Sequence, residues 1–96
     1  MFAQVYYLLR AKADGNYLTA HPHPDHPQAY LLLFSEQFEA LSYLNKHALR
    51  LASKFAVESI TGSQIKGILT RWGFGGIALV KDPLLPQVEF MTMTSS

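Results

Sequence analysis

The chain has 96 residues, 49% of them hydrophobic and 16% charged, with a formal net charge of +1 and no cysteine. That is the size of one domain with one core, so 1–96 is read as a single domain that buries roughly 60–65% of its unfolded surface. The composition excludes a disordered chain and any disulfide or thiol chemistry, and it lacks the basic excess on which nucleic-acid binding rests.

No apolar run approaches the ~18 residues of a membrane span. The opening MFAQVYYLLRAKADG lacks the basic and apolar regions of a signal peptide, so the cytoplasm is the expected compartment. The low charged share suggests that a partner covers some apolar surface.

Ala3, Val5, Tyr7 and Leu9 alternate with Gln4, Tyr6, Leu8 and Arg10 in a strand rich in β-branched and aromatic residues. Asp14-Gly15-Asn16 signals a turn and Tyr17-Leu18-Thr19-Ala20 a second strand, so residues 2–20 are expected to form a hairpin. Three prolines between His21 and Pro27 remove backbone donors and fix φ, which predicts an extended loop. Ala29 to Phe34 is a continuous apolar strand. Ser35 is placed to cap a helix with Glu36 and Glu39 in its first turn. Phe38, Leu41, Asn45 and Ala48, with Leu44 beside them, form its expected buried stripe. The helix ends near His47 or continues to about Ser53, and the sequence leaves both open.

The most consistent stretch is 56–82. Phe55, Val57 and Ser59 alternate with Ala56, Glu58 and Ile60 as a strand. Thr61 and Gln64 have the capping-box spacing, with Ser63 a competing cap. Ile65, Ile68, Leu69 and Trp72 mark one helical stripe, and Arg71 stands in the last turn, where the dipole favours a cation. Gly73 is the expected left-handed stop, with Phe74 folding back onto Leu69. Ile77-Ala78-Leu79-Val80 is a strand covered on both faces or central in its sheet. Pro86 to Met93 reads as an edge strand whose exposed side would allow pairing with another copy. The order strand, strand, strand, helix, strand, helix, strand, strand predicts an α+β domain of two layers. Its mixed sheet should hold five or six strands, with both helices on one face.

Three places attract a functional reading. His21, His23, Asp25 and His26 match the pattern H-x-H-x-D-H, in which residues two apart on an extended chain project the same way and imidazoles suit zinc. The stretch resembles the zinc signature of the metallo-β-lactamase superfamily, which implies one zinc on His21 and His23 and another on Asp25 and His26. That fold is a two-sheet sandwich about twice as long. Only His47 remains downstream as a histidine, so the match is read as coincidental. Thr61, Gly62, Ser63 and Lys66 open a helix in the sense that suits an anion, without the phosphate-loop pattern. Leu84 and Leu85, held between Pro83 and Pro86, suggest a docking surface, with Trp72 and Phe74 as further candidates. No serine occupies a nucleophile-elbow setting, and no catalytic residue is assigned.

Tyr30-Leu31-Leu32-Leu33-Phe34-Ser35 running into Glu36-Gln37-Phe38-Glu39-Ala40-Leu41 resembles a strand-then-helix segment of SseB-type N-terminal domains. Gly76-Ile77-Ala78-Leu79-Val80-Lys81-Asp82-Pro83 is similar to the strand that follows the second helix there. The resemblance covers under a third of the chain and implies a small, non-enzymatic, protein-contacting domain.

The leading expectation is a non-catalytic protein-interaction or regulatory module without a cofactor, whose partner is another protein or a second copy, with neither nucleic acid nor membrane involved. The alternative is a zinc-binding or small hydrolytic domain built on the histidine loop.

Overall fold

The computed structural model describes residues 4–21, 28–47, 49–82 and 87–92. The strands are β1 (Val5–Ala11), β2 (Thr19–Ala20), β3 (Tyr30–Leu33), β4 (Phe55–Thr61), β5 (Gly76–Asp82) and β6 (Gln87–Thr92). Helix α1 (Gln37–His47) lies between β3 and β4, followed by a 3₁₀ helix (Leu49–Lys54), and α2 (Gly62–Trp72) lies between β4 and β5. The class is α+β, in the expected order. Of the two possible ends of the first helix the earlier is found: the α-helix stops at His47, and the 3₁₀ helix that follows is a separate element.

Four strands form a mixed sheet in the order β2-β3-β5-β6, in which β3 and β5 are parallel. A two-stranded antiparallel sheet, β1-β4, adjoins it. The two meet at isolated bridges, Tyr7 with Phe34 and Arg10 with Tyr17. The expected hairpin over 2–20 is therefore short. Ala11 N–H bonds Asn16 O and Leu18 N–H bonds Leu9 O, but Leu18 O already accepts from Leu32 N–H. The returning arm thus passes from β1 to β3 within a few residues.

One expectation is corrected: the helices do not share a face. Leu9, Leu32, Phe34, Ala78 and Val80 pack with Ala40 and Leu44 of α1. Leu8, Leu31, Leu33 and Ile60 pack with Leu69 of α2 in a separate cluster. Alternate β3 residues thus enter opposite clusters, and all four are buried. Strand polarity explains this. β1 is antiparallel to both β3 and β4, and β3 is parallel to β5, so β3, β4 and β5 point the same way. The link through α1 crosses the sheet one way, from β3 over β1 to β4, and the link through α2 crosses back to β5. Two crossovers of one hand running in opposite directions must use opposite faces.

A second correction concerns α1. Ala40 and Leu44 are buried, whereas Phe38 is 65% and Leu41 48% exposed and Asn45 is exposed. Ala48 lies outside the described residues. The sequence carries two stripes of the same period, and the small Ala40 decides between them. It lets the helix approach the sheet closely, and Tyr43 then packs edge-on to Phe34 at 5.4 Å between ring centroids. The cap is also shifted. The helix begins after Glu36, whose N–H donates to Glu39 Oε1 at 3.1 Å, so Glu36 rather than Ser35 occupies the capping position.

Helix α2 is bounded as expected. Thr61 and Gln64 form its capping box, and Gly73 closes it at φ 70°. Phe74 N–H donates back to Leu69 O at 3.0 Å. Gly76 is required for a different reason. A Cβ there would fall on the Met91 carbonyl oxygen of β6. Among the described residues no helix is long and apolar enough to cross a membrane.

Candidate functional site

His21 is exposed just beyond β2, while His23, Asp25 and His26 lie outside the described residues, as do Leu84 and Leu85. Among the described residues no group of three His, Asp or Glu gathers as metal ligands would.

Thr61, Gly62, Ser63 and Lys66 do stand at the start of α2. However, Thr61 N–H is taken by Gln64 Oε1 at 3.0 Å and Gly62 N–H by Gln4 O at 3.1 Å. Thr61 Oγ1 lies 3.1 Å from Ser63 Oγ. These backbone and hydroxyl groups are satisfied within the protein, which leaves Lys66 as an exposed cation beside them.

Trp72 and Phe74 gather around Tyr17, with ring centroids 5.1 and 6.4 Å from it. The Arg10 guanidinium lies 4.9 Å from the centre of the Tyr17 ring. Phe74 joins the core cluster under α2, while Trp72 stays 39% exposed.

Helix α2 forms a ridge with a groove on each side. The groove toward β6, about 430 Å³, runs past Gly62, Ile65, Lys66 and Leu69 to Ile77 and Met91. The groove toward β4, about 380 Å³, has Leu8 and Ile60 on its floor and Tyr17 among its lining residues. Its helical wall is Gln64, Gly67, Ile68 and Arg71, one stripe at helical spacing. Glu58 and Ser59 of β4 line the opposite side.

Gly67 is informative within that wall. A mid-helix glycine costs roughly 0.8–1 kcal/mol relative to alanine. Nothing lies within 4 Å of where its Cβ would be, so internal packing does not require it. What it provides is room beside the helix backbone.

The strand bordering this groove has an unpaired side. Among the described residues β4 pairs with β1 alone. Gly62 N–H to Gln4 O and Lys12 N–H to Lys54 O set the phase of that ladder. In an antiparallel ladder alternate residues point their backbone groups at the partner, so Ala56, Glu58 and Ile60 face β1. Val57 and Ser59 face outward, each presenting an N–H and a C=O. Thr61 would be next, and its N–H is the one covered by Gln64.

Charge in the groove is unbalanced. Glu58 is paired with Arg10 at 3.6 Å, and Arg10 is itself held by Nε donating to Gly15 O at 2.8 Å. Arg71 is exposed and has no carboxylate partner among the described residues. Comparison of the chain with protein-family models, with curated proteins and with solved structures finds no match in any of the three.

The α2 stripe and its Gly73 stop stand where the sequence predicts them, and of the two possible N-caps Thr61 is the one used, but neither Gly67 nor the outer edge of β4 stands out in the sequence. Gly67 carried a usable signal, a helix-weakening residue flanked by good helix formers. The edge of β4 carried none, because strand order is not written in local pattern.

Proposed function

We propose that the protein is a small non-catalytic interaction module that binds another protein in the groove between α2 and β4. One observation carries the reading: an apolar-floored groove opens beside a strand edge whose Val57 and Ser59 backbone groups have no partner strand among the described residues. Open edges of this kind invite pairing, and proteins that do not use them usually blunt them. The likeness of the 30–41 and 76–83 segments to SseB-type domains implies the same kind of role.

The test is affinity capture with wild type and with Gly67→Gln, which adds a side chain where there is open space and therefore preserves the fold, as circular dichroism would verify. Proteins retained by wild type and lost by the variant support the groove. Equal capture by both refutes it.

A further inference from the structure

Resting on that interaction reading, we infer that the occupant is an extended acidic segment of another protein, which adds to β4 as an outer strand and places an aspartate or glutamate side chain on Arg71. The outward N–H and C=O groups of Val57 and Ser59 supply a main-chain ladder, which is how strand addition gains affinity without sequence demand. Specificity then comes from alternate side chains, since residues two apart on the added strand share a face. Those on the α2 side enter the groove. There they meet the apolar Leu8, Ile60 and Ile68, and they pass Gly67, where the helix has no side chain in the way.

Arg71 determines the charge of the occupant. Glu58 is engaged by Arg10, whereas Arg71 has no carboxylate partner among the described residues. The carboxylate belongs to a side chain and not to a chain terminus. A terminal carboxylate is captured by a nest of free backbone N–H groups. The Arg71 end of the groove is instead a helix C-terminus, where Phe74 N–H is bonded to Leu69 O and Gly75 N–H to Ala29 O. A second copy is the competing occupant, and one of its registers is disfavoured. Antiparallel pairing of β4 with itself about Glu58 would set two like charges directly opposite each other.

Selection from a phage-displayed library of random linear peptides, with counter-selection on Gly67→Gln, tests the inference. Enriched peptides are expected to show β-branched alternation with an acidic residue an even number of positions from an apolar one. A synthetic peptide from that set, amidated at its C-terminus, should slow hydrogen exchange of the Val57 and Ser59 amides. Replacing its acid by the amide, or making Arg71→Gln, should each weaken it about tenfold, with no further loss when combined. Restoring a free C-terminal carboxylate should not rescue the amide peptide.

Enriched peptides that leave Val57 and Ser59 unprotected, or that ignore Arg71, overturn the inference, as does enrichment of none. So does protection of these amides without peptide in a concentration-dependent dimer. In any of these cases the groove reading stands if Gly67→Gln still abolishes capture, and falls only if it does not.

Discussion

Tyr7 and Phe34 exchange both of their backbone hydrogen bonds, Tyr7 N–H to Phe34 O at 2.9 Å and Phe34 N–H to Tyr7 O at 2.8 Å. Together with the Arg10–Tyr17 bridge, this pair holds the β1-β4 ladder to the edge of β3. Phe34 is also fully buried and packs on Tyr43 of α1. Phe34→Ala therefore removes a core ring at the seam, at a cost of about 3–5 kcal/mol. Urea denaturation measures the loss, and amide exchange at Tyr7 should accelerate more than at Tyr30. A loss below about 1 kcal/mol would mean that the seam does not rest on this ring.

Gly67, Gly73 and Gly76 are expected to respond differently to alanine. Gly67→Ala should stabilise the protein by about 0.5–1 kcal/mol, since it improves helix propensity and meets open space. Gly73→Ala should destabilise by about 1 kcal/mol, because its left-handed backbone strains a side chain. Gly76→Ala should be the worst, costing more than about 2 kcal/mol, because the obstacle is the Met91 backbone and β6 must move to admit a methyl group. Thermal melts of the three variants would show this ranking, and a neutral Gly76→Ala would contradict the close β5–β6 approach.

The two faces of α1 separate just as sharply. Leu44→Ala should cost about 2–5 kcal/mol, whereas Leu41→Ala should change stability by less than about 0.5 kcal/mol. Equal losses in chemical denaturation would place the helix on its other stripe.

Arg10 donates to Gly15 O, lies over the Tyr17 ring and pairs with Glu58. Lysine keeps the charge but loses the planar fork, so Arg10→Lys should cost about 1 kcal/mol. Glu58→Gln should cost less than about 0.5 kcal/mol, since both partners are substantially exposed. A double-mutant cycle in urea measures the coupling between them. A coupling larger than the effect of Arg10→Lys would show that the ion pair dominates.

Much of the fold was legible in the sequence because it is written in local chemistry. The Thr61–Gln64 cap, the Gly73 stop and the apolar runs of β3 and β5 all stand where their residues imply. Those runs, buried on both faces in β3, also contained the clue that the helices take opposite sides, because a sheet covered on one face would have alternated. The phase of α1 was hidden, since Phe38 and Leu41 repeat as regularly as Ala40 and Leu44, and helix periodicity does not say which stripe meets the sheet. For the site, Ile68 and Arg71 belonged to a recognised helix, but the groove they line depends on β4 being outermost. That follows from how the crossovers are laid out in space.

The pairing of β1 with β4 also affects how the chain is made. Val5 finds its partner in Thr61 and Tyr30 finds its partner in Gly76, so the ladders join residues far apart along the chain. As synthesis proceeds from the N-terminus, the apolar first strand emerges long before the strand that will cover its edge, and β3 likewise precedes β5. The β1–β4 and β3–β5 ladders therefore close late, whereas the β5–β6 hairpin joins neighbours in the chain. Until then its Tyr- and Leu-rich opening is exposed to whatever else in the cell binds unpaired strands.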